Sequence, residues 1–398
     1  MNKKTKNSPI DNNSLFMPTY KRDGAPIICG KGMYLYDEDE KAYLDFGAGI
    51  AVNALGHAHP AIINAIKTQS ELVVHSSNLY LSRAQIDLAE VLIKNSFANH
   101  VFFCNSGTEA NEAAIKFARK FASSRDKEQY HILSFYNGFH GRTYGALSAT
   151  AQKQLHEGFE PLVEGFHWSE YNDIAAAKKI LSQYKFAAVI VEPIQGESGV
   201  QLATPEFLKF LRTWCTKNKA VLIFDEVQTG MGRTGTLWNY QQSEVIPDIM
   251  TLAKPLGGGL PLGAALCNSI IAKAISPGNH GTTFGGNPVA CAAGLAMLNI
   301  INKKSFLNNV VKMGNYLTKK LQALQKNTPS IKEIRECGLM IGIEFDSDPL
   351  SIVSSCKNAG LLVVKAGHNT IRMLPPLIVT KDDIDNAISI LQNVLNKQ

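Results

Sequence analysis

Apolar residues in this chain follow two rhythms. Short, largely apolar runs at residues 101–104, 130–135, 186–191, 221–224 and 249–253 predict buried strands. Each run stops at a glycine-rich or polar loop. Residues 61–73, 110–121 and 206–218 instead repeat apolar positions at helical spacing. Helices placed between strands predict a mostly parallel sheet with crossover helices, an α/β fold. Residues 34–46 predict two short strands about an acidic turn, and 289–302 and 305–325 predict long helices. From residue 331 the pattern changes to short strands (331–334, 340–345, 361–364, 370–374) and a closing helix at 381–395, a smaller α+β unit. The expected division is an N-terminal arm with small-domain strands at 1–55, a large α/β domain at 56–290 and a small α+β domain at 291–398.

Composition narrows the class. The 398 residues, 45% hydrophobic and 19% charged, suit a soluble globular enzyme with more than one core. A net charge of +6, with no basic stripe carrying interleaved aromatics, argues against nucleic acid as a partner. The seven cysteines are scattered and never paired as Cys-x-x-Cys, so they read as reduced core residues of a cytoplasmic protein. Residues 1–14 are polar, without the apolar centre of a secretory signal, and are expected as a mobile tail. No run approaches the roughly 18 apolar residues of a membrane span. His57 and His59 have no third ligand nearby and are expected as loop histidines satisfied by backbone, not a metal site.

The candidate chemistry lies just after the strands, where ligands of such sheets bind. Asp225 ends one buried run and Lys254 follows the next. Lysine forms Schiff bases with aldehydes, and a carboxylate keeps a pyridine nitrogen protonated. Singly, each is more often a cap or a solvated loop residue; together they suggest pyridoxal phosphate (PLP). After residue 104, Ser106 and Glu109 match a capping box, so a helix starts there. With the helix dipole, Gly107 and the Thr108 hydroxyl make a candidate phosphate site; the alternative is a plain strand-to-helix turn. Phe139, between glycines, is placed to lie on a planar ring or to fill the core. Arg142 follows it and can grip a carboxylate with its fork, or be a surface cation. Alternation in the 370–374 strand sets Ile371 and Met373 on one face and Arg372 on the other, as an ion pair or carboxylate site.

Two rival motifs fail. Gly230-Met231-Gly232-Arg233-Thr234-Gly235 has the G-x-G-x-x-G form, but five residues separate it from the strand and no good helix start follows. Residues 221–226 resemble the acidic strand of a P-loop ATPase, yet no G-x-x-x-x-G-K-[ST] loop occurs.

The chain resembles the class III aminotransferases of the fold-type I PLP enzymes, from about Met17 to the C-terminus. The motifs are Asn105-Ser106-Gly107-Thr108-Glu109-Ala110-Asn111, Phe139-His140-Gly141-Arg142-Thr143, Val191-Glu192-Pro193-Ile194-Gln195-Gly196-Glu197, Phe224-Asp225-Glu226-Val227-Gln228, Lys254 and Gly281-Thr282-Thr283-Phe284-Gly285-Gly286-Asn287-Pro288. Within the class it is most similar to acetylornithine aminotransferases, through residues 49–57 and the Thr282-Thr283-Phe284 form. The resemblance implies Lys254 as the Schiff-base lysine, Asp225 at the pyridinium nitrogen, Gln228 near the phenolic oxygen and Phe139 on the ring. It implies Ser106, Gly107 and Thr108 at the phosphate, with Thr283 reaching it from the partner of a homodimer with shared active sites. Arg142 would take the substrate α-carboxylate, Arg372 the carboxylate of 2-oxoglutarate or glutamate with Glu197 as switchable partner, and Glu192 would support the site. Pro255 stands where relatives often carry Ala or Gly. The implied reaction moves the terminal amino group of N2-acetylornithine to 2-oxoglutarate, in arginine biosynthesis. Ornithine, succinylornithine, succinyl-diaminopimelate and 4-aminobutyrate are the alternative donors.

Overall fold

The computed structural model describes residues 15–397; the tail expected at residues 1–14 lies outside them. Its centre is a seven-stranded sheet, in spatial order His100–Cys104, Gly263–Cys267, Ile249–Leu252, Val221–Asp225, Phe186–Val191, His131–Phe135 and Phe166–Ser169. The last five run parallel. Gly263–Cys267 is antiparallel to both neighbours. That strand, of sequence GAALC, carries mostly small residues and gave no strand signal.

Phe186–Val191 and Val221–Asp225 are buried along their whole length because both faces of the sheet are covered. Ile190 and Ile223 join a cluster with Ala113, Ala114, Phe117 and Ala118 of the Gly107–Ser123 helix. Val189, Val191, Leu222 and Phe224 point the other way, to Phe207, Leu208, Leu211 and Cys215 of the Pro205–Asn218 helix. The period of two is present but hidden, since both sides are apolar. Alanines on the first helix let it pack close to the sheet. Thr204 caps the second by accepting from Phe207 N, with Pro205 at its first position.

Two four-stranded sheets and a two-stranded ribbon of Ile194–Gln195 with Gln201–Leu202 accompany the central sheet among the described residues. Ile27–Lys31, Tyr34–Asp37 and Ala42–Asp45 form an antiparallel meander, and Leu361–Leu362 adds in parallel beside Ala42–Asp45. Segments from the N-terminal and C-terminal parts of the chain therefore join in one sheet. Ile331–Cys337, Met340–Phe345, Thr370–Met373 and Val364–Ala366 form the other, wholly antiparallel sheet. Leu317 and Leu321 of the Lys304–Gln325 helix, and Ile384 and Leu391 of Lys381–Leu395, pack in the cluster that holds its Ile341 and Ile343. Every residue of Thr370–Met373 is buried, so the face carrying Arg372 is covered as well as the apolar one.

All seven cysteines are unpaired. Five are buried and Cys337 is half-buried, but Cys29 is exposed on the outer Ile27–Lys31 strand and is not a core residue. His57 is held by a carboxylate and not by backbone through its ring: Nε2 lies 2.9 Å from Asp45 Oδ2. His59 Nδ1 accepts from Ala61 N and caps the Pro60–Leu72 helix. Among the described residues, no helix is long and apolar enough to cross a membrane.

Candidate active site

The carboxyl ends of the parallel strands open onto one cavity of about 430 Å³. Ser106, Gly107 and Thr108 line it from the start of the Gly107–Ser123 helix, and Phe139 and Arg142 from the loop after His131–Phe135. Glu192 and Glu197 reach it from beyond Phe186–Val191, Asp225 and Gln228 from the end of Val221–Asp225, and Lys254 from the turn after Ile249–Leu252. Val221–Asp225 and Ile249–Leu252 are adjacent parallel strands, and this adjacency brings the acid and the amine to the same wall.

Asp225 is 4% exposed and accepts three hydrogen bonds. Val227 N donates to Oδ1 at 3.0 Å, while Asn111 Nδ2 and His140 Nδ1 each donate to Oδ2 at 2.8 Å. Asn111 also donates to His140 O and accepts from Thr251 Oγ1. The carboxylate is thus aimed by a closed network of buried side chains.

Lys254 has a left-handed backbone, φ +46°, and opens the short turn Lys254–Gly257, in which Pro255 is the second residue. Such strain in a non-glycine residue persists where the surroundings fix it, often at working sites. Burial pulls the Lys254 amine below its usual pKa, and the Arg372 cation adds to this against the pull of nearby carboxylates. Glu192 is pushed the other way. Burial, and then the charge of Asp225, hold its carboxyl well above the ordinary range. Its Oε2 accepts from Phe139 N at 2.9 Å, fixing the aromatic residue's backbone.

Arg372 is fully buried and forms a two-pronged pair with Glu197, Nη1 to Oε1 at 2.8 Å and Nη2 to Oε2 at 3.2 Å. Gln228 ties the two together, accepting from Arg372 Nη1 at 2.9 Å and donating to Glu197 Oε1 at 3.3 Å. Burial would raise the Glu197 pKa, but Arg372, the hydrogen bonds and Lys254 outweigh it and the net direction is down. Arg142 is exposed, with its guanidinium 5.6 Å from the Phe139 ring centre.

The anion end differs from expectation in one bond. Ser106 Oγ accepts from Glu109 N, but the Glu109 carboxylate bonds Asn105 N and Nδ2 at 2.5 and 2.9 Å. Half of the capping box forms; the other half is displaced by one residue, which ties down the strand end instead. Thr283 does not reach the cavity within one chain. It lines a separate surface pocket with His75, Ser77, Asn78 and Phe284. The mouth is bordered by Gly49 and Ile50, in a short helical turn at Ala48–Ala51 that runs left-handed, with φ between +48° and +66°. Asp45 Oδ1 holds its start by accepting from Gly47 N and Ala48 N.

The family model for class-III aminotransferases matches residues 20–395. The chain belongs to the class-III aminotransferases. It is 50% identical, over 96% of its length and 97% of the relative's, to an acetylornithine aminotransferase of Caldanaerobacter subterraneus. Its fold matches an N-acetylornithine aminotransferase from Stenotrophomonas maltophilia at TM-score 0.84, with 33% identity and coverage of 97% and 98%. It also matches an ornithine aminotransferase from Toxoplasma gondii, which holds PLP at partial occupancy in its active site, at TM-score 0.90, with 31% identity and coverage of 96% and 92%.

As a class-III aminotransferase, the chain has a site whose donors suit PLP. The first N–H groups of a helix have no partner within the helix, and Gly107 and Thr108, the first two residues of Gly107–Ser123, line the cavity. A side chain at position 107 would meet Val227 Cγ1 at 2.8 Å, so only glycine keeps this wall close. The buried amine, the aimed carboxylate and this anion end occur together in one cavity. Asn111 and His140 escaped sequence reading as functional residues. Both lie inside motifs, but nothing in one dimension shows that residues 111, 140 and 225 converge.

Proposed function

We propose that this aminotransferase uses PLP to move the terminal amino group of N2-acetylornithine to 2-oxoglutarate, giving N-acetylglutamate 5-semialdehyde and glutamate, in arginine biosynthesis. The observation that carries the chemistry is Lys254 and Asp225 on adjacent strand ends in one cavity. Bound there, PLP would supply an aldehyde that takes up the amino group and a cationic ring that accepts an electron pair. Ser106, Gly107 and Thr108 would hold the phosphate, Phe139 would cover one ring face, Gln228 would lie near the phenolic oxygen and Glu192 would brace the loop. Asp225 would keep the ring nitrogen protonated. Lys254 Nζ, whose pKa burial lowers, would remove the proton from the carbon bearing the amine and return one in the second half-reaction.

The two arginines divide the carboxylates between them. Arg142, exposed at the mouth, suits the α-carboxylate of a donor whose reacting end is remote. Arg372 would serve 2-oxoglutarate or glutamate, with Glu197 neutralising it when the donor is bound. Two-carboxylate and one-carboxylate substrates then share one site without leaving a buried guanidinium unpaired.

A homodimer is part of this reading. Leu72, Leu79, Leu81 and Phe284 are more than 60% exposed in one chain. Asn78 bonds Thr282 O and Gly285 O, joining these loops into one apolar surface that also carries Thr283. A second copy would cover it and bring Thr283 to the other chain's phosphate end. Unpaired thiols and the lack of a membrane-crossing helix among the described residues support a cytoplasmic setting.

The test is the visible spectrum of the PLP-loaded protein during single additions of N-acetylornithine, ornithine, succinylornithine, succinyl-diaminopimelate and 4-aminobutyrate without oxo acid. Fastest loss of the band with N-acetylornithine, and its return with 2-oxoglutarate, is the expected result. Faster loss with another donor would replace the substrate.

A further inference from the structure

Arg233 lies in the Gly230–Gly235 loop that failed as a nucleotide fingerprint, and its side chain is 2% exposed. No acid pairs with it among the described residues. Nη1 donates to Leu339 O at 2.9 Å and to Pro375 O at 2.6 Å, and Nη2 finds no acceptor. Burial alone lowers its pKa to about 9. A cation held in the interior by two carbonyls, with no acid beside it, is costly to bury.

That geometry leads to Arg372. Leu339 precedes the Met340–Phe345 strand, and Pro375 follows Thr370–Met373. These strands are antiparallel neighbours, with Gly342 opposite Arg372 and Ile341 opposite Met373, so both carbonyls lie at the same end of the pair. Leu339 N also donates to Arg233 O at 3.0 Å, making the contact reciprocal. A Cβ on Gly338 would fall 2.8 Å from Arg233 O, which shows how close the loop and the strand turn are. Five residues before Arg233, Gln228 bonds Arg372 itself. One loop thus grips the strand pair at its end and at the guanidinium.

We infer that Arg233 is a positioning residue for the 2-oxo acid half of the reaction: it locks the strands that carry Arg372, and so sets where the acceptor's carboxylate binds relative to Lys254. The inference rests on the aminotransferase reading above. The donor half-reaction, in which Arg372 is paired with Glu197, depends on this register much less.

The experiment compares Arg233→Met and Arg233→Lys with the wild-type, PLP-loaded enzyme. Glutarate, a non-reacting dicarboxylate, is titrated by calorimetry, and the two half-reactions are followed separately. In Arg233→Met the glutarate Kd and the KM for 2-oxoglutarate should rise on the order of tenfold, the loss expected when one charge-assisted hydrogen bond to the carboxylate is weakened. The kcat and the N-acetylornithine half-reaction should stay within about twofold, since their contacts are unchanged. Arg233→Lys, which keeps the charge and a donor, should recover part of the loss. Unchanged glutarate affinity, or equal losses in both half-reactions, would overturn the inference; the second result would mark Arg233 as general support for the fold. Should Arg233→Met fail to fold, Arg233→Lys carries the same comparison. Wild-type enzyme that is not restored by 2-oxoglutarate would instead count against the aminotransferase reading.

Discussion

Removing the imidazole that aims Asp225 should slow the chemistry without unfolding the protein. In His140→Phe, Asp225 Oδ2 loses one of its two side-chain donors, both at 2.8 Å, while Asn111 and Val227 N remain. A hydrogen bond to a charged group contributes about 1.5–3 kcal/mol. At about 1.4 kcal/mol per tenfold in rate, the single change should reduce the donor half-reaction roughly 10- to 100-fold. Asn111→Ala removes the other donor and should cost a similar factor. The two donors share one oxygen, so each covers in part for the other's loss. The double variant, left with Val227 N, should therefore be slower than the product of the single effects, a coupling of about 1 kcal/mol or more. Stopped-flow loss of the cofactor band with N-acetylornithine measures all four proteins, with thermal melts as the control for folding. An unchanged rate in either single variant, or simple multiplication in the double, would refute the idea that these residues act through Asp225.

Three further outcomes are expected. Lys254→Ala should still bind PLP, seen by ultrafiltration, but should not turn over; normal turnover would sink the assignment of the amine. In Glu197→Ala, Arg372 loses its partner, so glutamate should bind about 10-fold more tightly or better while N-acetylornithine loses efficiency, given about 3 kcal/mol for separating a buried pair; steady-state kinetics with both donors would show an opposite shift, and parallel losses would contradict it. Burial raises the Glu226 carboxyl to about pKa 7, against the pull of N–H donors from Asn239 and Tyr240. The folded state then holds a proton that the unfolded state has released, so this contribution to stability is complete below about pH 4.5 and is lost as pH rises through about 7. Melting of wild type should decline across that window more steeply than that of Glu226→Gln, and parallel curves would remove Glu226 as the cause.

The positions of the central strands and the cluster of chemistry at their ends were legible because buried parallel strands are continuous apolar runs, as in Phe186–Val191 and Val221–Asp225; their spatial order was not, since it depends on pairings between distant segments. Gly263–Cys267 was missed because small residues give no strand signal, yet it fills the gap between His100–Cys104 and Ile249–Leu252. Asp225 and Lys254 could be paired from sequence because each follows its own strand. Asn111 and His140 could not, because their shared target depends on three loops meeting in space. Gln228 illustrates the same limit: its amide is engaged by Arg372 and Glu197, contacts made between residues more than a hundred positions apart in one case and about thirty in the other. Glu109 followed the capping-box spacing, but its carboxylate found Asn105 N one residue earlier, a choice that depends on local backbone geometry.

The central claim is that the amine of Lys254 carries the cofactor in this cavity. Borohydride reduction of the PLP-loaded protein, followed by digestion and peptide mass mapping, tests it most directly. A single pyridoxyl-bearing peptide containing Lys254 is the expected result. Label on a different lysine, or none after full loading, would contradict the account.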